Sequence, residues 1–200
     1  MGLSKQAKVL SKSQIESVRS YLRSNRNGLR NDTMFLLSVK SGLRSKEISG
    51  LKWVHILKSD STLDNYINLP NDVSKGGNGG RVIPIHKELK KNLEQLFKLH
   101  SMRYRFDPLT DSVISTERSP NTSPQMVTNF FHGLYRKLGM IGCSSHSGRR
   151  TFITEVARKI STVGGSLRDV QYLAGHSSLQ TTQRYIEGNS ESKEKVINLI

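Results

Sequence analysis

Apolar residues recur at the helical period along most of this chain, and the pattern changes to a strand-like one between Trp53 and Ile85. Ile15, Val18 and Leu22 share one face of a helix that Ser11 or Ser13 can cap. After an Asn- and Gly-rich turn at residues 25–31, Met34, Phe35, Leu36, Leu37 and Val39 make a second helix apolar enough to be deeply buried. It stops near Gly42, where glycine suits a left-handed cap, and Ser45 caps a short helix through Leu51. Leu89, Leu93, Leu96 and Leu99 mark a helix over 88–100, and Ser123 caps another over 124–138. Phe152, Ile153, Val156 and Ile160 fall on one side of a helix over 149–160. Ser166-Leu-Arg-Asp169 is close to a capping box and opens a helix ending at Gly175; Ser177 or Ser178 starts the one bearing Tyr185.

Between Trp53 and Ile85 the period changes. Apolar runs at 53–57, 66–69 and 81–85, separated by polar or glycine-rich turns, read as a small antiparallel meander. Residues 101–124 read as loop, with an extended piece at 113–115. With no internal repeat or low-complexity linker, the expected fold is mainly α with a small three-stranded antiparallel β-sheet. One domain is expected over residues 11–187, after a flexible basic leader at 1–10 and before a tail at 188–200 that carries Val196, Ile197 and Ile200.

Thirty-one Lys and Arg against 16 Asp and Glu give a net charge of +15, which favours a polyanionic partner, nucleic acid first and an acidic membrane surface second. Cys143 stands alone, so no intramolecular disulfide can form, and a reducing cytoplasm is the natural setting. No cysteine or histidine spacing of a metal site occurs, and no apolar stretch is long enough to cross a bilayer.

The last third of the chain carries the chemistry. It reads Ser-Ser-His146-Ser-Gly-Arg149-Arg150-Thr-Phe, then Leu-Ala-Gly-His176-Ser-Ser-Leu-Gln-Thr-Thr-Gln-Arg-Tyr185-Ile. A guanidinium fork matches phosphate oxygens in geometry and charge. An imidazole trades protons near neutral pH, and a phenol becomes a nucleophile when cations stabilise its anion. Converging on one phosphate, these groups suit phosphoryl transfer through a phosphotyrosine. Tyr104, Tyr135 and Tyr172 lack that context, and His55, His86, His100 and His132 read as structural or solvent-facing.

The segment from Ser145 to Ile186 resembles the C-terminal motif block of the tyrosine recombinases, the phage-integrase family. Ser41-Gly-Leu-Arg44-Ser-Lys-Glu47-Ile-Ser-Gly-Leu-Lys-Trp53 resembles the same family's first-arginine motif, and the likeness runs from about Leu10 to Tyr185. It implies the family's catalytic-domain fold and site-specific cutting and rejoining of double-stranded DNA, with neither metal nor other cofactor. By resemblance, Arg44 and Arg149 clamp the scissile phosphate, His176 donates to it, His146 handles protons around Tyr185, and Tyr185 attacks. Val-Ser-Lys75-Gly-Gly-Asn-Gly-Gly-Arg81 is similar to the family hairpin whose lysine protonates the leaving oxygen. Glu47 supports the site. Arg150, where the family often has histidine, joins Arg44, Lys75 and Arg149 as a DNA contact.

The family's N-terminal clamp domain is not in this sequence, a minimal build similar to the fimbrial-switch invertases. A tetramer on paired DNA sites and an accessory bending or directionality factor are the implied partners, and the tail at 188–200 is expected to dock in trans. Two other outcomes fit the same residues: relaxation of supercoils by a type IB topoisomerase, or DNA binding by an accessory protein that has lost catalysis.

Overall fold

Ser11 opens α1 (Lys12–Arg23) through a reciprocal cap: its hydroxyl accepts from the Gln14 amide at 3.2 Å, and Gln14 Oε1 accepts from the Ser11 amide at 2.9 Å. The computed structural model describes residues 6–74 and 80–185. Its further elements are α2 (Gly28–Ser41), α3 (Ser45–Gly50), β1 (Tyr66–Leu69), β2 (Arg81–Pro84), α4 (Lys87–Ser101), α5 (Pro124–Lys137), α6 (Ser147–Lys159), α7 (Leu167–Ala174) and α8 (Leu179–Gln183).

The spine is α2. All its side chains from Asp32 to Val39 are buried, because α1, α4 and α6 pack around it. A carboxylate in such a place must be bonded. Asp32 accepts from Arg19 at 3.1 Å, Arg23 at 2.9 Å and Asn92 at 2.9 Å, and this knot ties α1 and α4 to α2. Most of the apolar core surrounds α2, with Trp53, Phe131 and Tyr135 among its largest buried side chains. A second, smaller cluster of Ile153, Ala157, Val170 and Ala174 joins α6 to α7, and Tyr185 packs on its edge.

Among the described residues the sheet has two strands, and the expected third is not among them. β1 and β2 pair antiparallel, with Ile67 opposite Ile83. The run at 53–57 instead begins with a 3-10 turn, Trp53–His55, closed by the Ile56 amide on the Trp53 carbonyl at 2.9 Å. What overrides the strand pattern is the indole. Trp53 is wholly buried and its Nε1–H donates to His100 Nδ1 at 3.0 Å, which fixes the turn against Phe97 and Phe106. Among the described residues, isolated bridges join Lys52 with Ser112 and Leu57 with Leu63 around it. His100 is structural, as its residue context suggested: burial and nearby Arg103 push it down to about 4, so it packs as a neutral ring.

Three other expectations need correction. α2 starts at Gly28, inside the stretch expected to be a turn. The cap residue of α3 is Arg44 rather than Ser45. Residues 6–10 are not a free leader: the Lys8 amide donates to Gly142 O at 3.1 Å, the Leu10 amide to Thr151 Oγ1 at 2.8 Å, and Leu10 is buried.

α6 crosses α2 at a glycine. A Cβ on Gly148 would fall 2.4 Å from Ser38 Oγ and 3.0 Å from Ser38 Cβ, closer than packed atoms allow. Alanine normally stabilises a helix by up to about 1 kcal/mol over glycine, so the sign of this change reverses on contact alone. Gly148→Ala is expected to lower stability by about 2 kcal/mol and to displace His146 and Arg149, which flank the crossing. Adding Ser38→Gly should restore most of the melting temperature. An unchanged melting temperature for Gly148→Ala alone would show that α6 is not held this closely.

Candidate active site

α7 ends in three successive carbonyls, and each accepts from a different arginine. Leu173 O takes Arg81 Nε at 3.0 Å, Ala174 O takes Arg149 Nη2, and Gly175 O takes Arg44 Nη2 at 3.0 Å. The last carbonyls of a helix have no partner within it and carry the negative end of its dipole, so they suit cations. Gly175 makes the cradle possible. Its φ of 57° closes the helix in the left-handed region, and a Cβ there would meet Arg81 Nη1 at 2.7 Å.

The arginines arrive from distant parts of the chain. Arg44 stands in the bend after Gly42, Arg81 begins β2, and Arg149 lies in the first turn of α6, where its Nη1 also donates to Gly42 O at 2.6 Å. Among the described residues Glu47 is the carboxylate that bonds them, and it is fully buried. It accepts from Arg44 Nη1 at 2.8 Å, from the Arg44 amide at 2.8 Å, and from Arg81 Nη1 and Nη2 at 3.0 and 3.1 Å. Burial works against its ionisation, but the bonds from Arg81 and Arg44 outweigh it and hold the carboxyl below its ordinary range.

Three guanidiniums facing one carboxylate leave an excess of buried positive charge. Burial, then repulsion from Arg44 and Arg81, pushes Arg149 down to about 9, which still leaves it charged at neutral pH. His176 feels the same field: burial first, then Arg149, Arg44 and Arg81, push it down to about 4. It is therefore a neutral ring at pH 7. Its Nδ1 lies 2.9 Å from Thr182 Oγ1, and with that hydroxyl donating, the ring proton sits on Nε2. Such a site gains from an arriving anion, which would relieve Arg149 and raise His176 toward its ordinary value.

Tyr185 follows α8 by one hydrogen-bonded turn, its amide on Thr182 O at 3.0 Å. Its ring stacks on His176 with centroids 5.7 Å apart. A cleft of about 340 Å³ opens beside it, lined by His146, Arg149, Arg150, Arg184 and Tyr185. His146 is the cap residue of α6 and is exposed at this cleft. The structure thus brings Arg44, Glu47, His146, Arg149, Arg150, His176 and Tyr185 together. Lys75 lies outside the described residues. The other tyrosines are elsewhere: Tyr135 is buried in the core, with burial raising its phenol, Tyr172 accepts from the Val82 amide at 3.1 Å, and Tyr104 is exposed.

Arg81 is the residue that sequence reasoning passed over as part of the site. Its signal was present, because it alternates with Ile83 on the inward side of β2, an apolar register in which a lone cation needs a partner. Glu47→Gln tests the arrangement, since it leaves Arg81 and part of Arg44 without their anion. Stability is expected to fall by about 3 kcal/mol, seen as a melting temperature lower by roughly 10 °C. Because Glu47 has a depressed pKa, its contribution is present at neutral pH and is lost as pH falls below the ordinary carboxylate range, so the gap between variant and wild type should narrow in acid. A gap that stays constant down to strongly acidic pH would argue against the pairing.

Among the described residues there is no cluster of ligating side chains that could hold a metal ion, and no helix long and apolar enough to cross a membrane. The model of the phage integrase family matches residues 8–192. Tyrosine recombinase XerA of Pyrococcus horikoshii is 29% identical over 192 residues, covering 95% of this chain and 61% of its own. Tyrosine recombinase XerC of Lactobacillus leichmannii is 28% identical over 176 residues, covering 85% and 56%. The chain therefore spans roughly half to six-tenths of the length of these curated relatives. Among solved structures, a XerA recombinase crystal structure superposes with a TM-score of 0.74 at 20% identity, over 100% of this chain and 65% of that one. The Tn1549 transposon integrase in complex with transposon right end DNA gives 0.75 at 18%, over 98% and 65%.

Proposed function

The chain belongs to the phage integrase family, and from that premise we propose that it cuts and rejoins DNA strands at specific sites through a 3′-phosphotyrosyl intermediate. The observation that carries this reading is the α7 cradle, which holds Arg44 and Arg149 beside the cleft where His146 and Tyr185 lie. The Tyr185 oxygen bonds to the scissile phosphorus as the bond from phosphorus to the 5′ oxygen breaks. The phenol proton passes to His146, and Lys75 supplies a proton to the leaving 5′ oxygen. Arg44 and Arg149 meet the charge that spreads over the nonbridging oxygens, and the Nε2–H of His176 donates to one of them. Glu47 holds Arg44 in place. The phosphotyrosyl ester conserves the energy of the broken bond, so rejoining needs no nucleotide.

Double-stranded DNA is the proposed substrate, in keeping with the charge of +15 and with solved relatives that include an integrase on transposon DNA and a XerH recombinase bound to its difH substrate. The proposed setting is the cytoplasm, with four protomers on paired sites and an accessory bending or directionality factor. The tail at 188–200 docks on a neighbouring protomer in this reading. An apolar groove of about 680 Å³ that includes Val9, Ile15, Phe152, Val156 and Ile160 offers a surface for Val196, Ile197 and Ile200. Truncation after Glu187 is expected to preserve single-site cleavage and weaken paired-site assembly, as read by gel shift on one-site and two-site DNA. Full assembly by the truncated protein would count against docking.

A nicked suicide substrate and a supercoiled plasmid, both in EDTA, test the function itself. Covalent trapping together with strand exchange between paired sites supports the recombinase. Relaxation without exchange would make the chain topoisomerase-like, and binding without trapping would make it an accessory protein.

A further inference from the structure

Five arginines lie around the candidate site, and three of them, Arg44, Arg81 and Arg149, have their guanidiniums tied to protein. Arg44 donates to Glu47 and Gly175, Arg81 to Glu47 and Leu173, and Arg149 to Gly42 and Ala174. Arg150 differs. Its Nε is buried, yet among the described residues it has no hydrogen-bond partner, and the Cζ lies 5.8 Å from the centre of the Tyr185 ring. One residue further along α6 than Arg149, its side chain leaves the helix about 100° around the axis and so diverges from the α7 carbonyls. A buried donor without an acceptor is rare in a folded protein and calls for an explanation. The sequence suggested a DNA contact here; the position over the phenol ring suggests another use.

We propose that Arg150 is a positioning residue for the nucleophile, fixing the Tyr185 ring over α6 and stabilising the phenolate charge that grows as the hydroxyl loses its proton. The proposal rests on the reading of Tyr185 as the attacking group. A cation near the face of a phenol is already attracted by the ring quadrupole, and the attraction grows as negative charge spreads into the ring. The remaining charged and titratable groups around Tyr185 are Arg149 and His146 of α6, Arg184 beside it in the chain, and His176 before α8. His176, stacked on the same ring, is neutral and offers no counter-charge. Arg149 is already committed to two carbonyls. In cleavage, the phenol proton leaves for His146 while the oxygen bonds to phosphorus and the 5′ oxygen departs. Arg150 takes no proton in that step and changes only how readily the phenol gives one up.

Arg150→Gln removes the charge, and Arg150→Lys keeps it. Two readouts separate this role from a plain phosphate contact. In DNA-free protein, the Tyr185 phenol is followed by ultraviolet difference titration against Tyr185→Phe. On a suicide substrate, single-turnover cleavage is followed from pH 7 to 10. Arg150→Gln is expected to move the phenol midpoint upward and to slow cleavage at pH 7 by roughly three- to thirtyfold. The deficit should shrink as pH rises, DNA affinity should stay near wild type, and Arg150→Lys should recover most of the rate. An unchanged midpoint, a pH-independent deficit, or weakened DNA binding that accounts for the whole loss would each overturn the proposal. If wild type forms no covalent adduct, the functional reading fails separately, and the DNA-free titration still reports on Arg150 and Tyr185.

Discussion

Arg149→Ala is expected to bind DNA within a few-fold of wild type and to cleave it about a hundred- to a thousandfold more slowly, the scale of losing a preorganised group that meets developing charge. Binding draws on many cations of a chain with a +15 charge, so one lost side chain is diluted there. The transition state draws on very few. Arg149 is buried, pinned at both Nη atoms and set in the positive field of Arg44 and Arg81, so its position is fixed before any phosphate arrives. Lysine is no substitute, because a single ammonium cannot bond Gly42 O and Ala174 O and still face a phosphate. Arg150→Ala, acting through the nucleophile, should lose only about tenfold. Single-turnover cleavage by both variants checks the contrast, and equal losses would mean that the two arginines do not divide the work in this way.

The positions of the helices were legible because local chemistry fixes them. Ser11, Ser123 and Ser166 each cap the helix that follows, and Gly42 and Gly175 take the left-handed conformation that ends one. The third strand failed because a period-2 pattern at Trp53 competes with a buried indole that needs an acceptor. His100, 47 residues away, supplies it, and no local window contains that fact. The motif residues could be picked out one by one, but the way they are held could not. The α7 cradle joins Leu173, Ala174 and Gly175 to side chains at 44, 81 and 149, and it works through backbone carbonyls, which carry no residue identity. Gly148 is a similar case. It reads as an ordinary weak point in a helix until Ser38 is found against it.

Tyr185 is the residue proposed to carry the DNA. The most direct measurement is to trap the protein on a nicked suicide substrate, digest the adduct and identify the modified peptide by mass spectrometry. A 3′-phosphate ester on Tyr185 alone is expected. Tyr185→Phe is expected to bind the same DNA with unchanged affinity and to give no adduct, since only the hydroxyl is lost and the stacking on His176 is kept. An adduct mapped to Tyr172, Tyr104 or Cys143, or one that persists in Tyr185→Phe, would contradict this role.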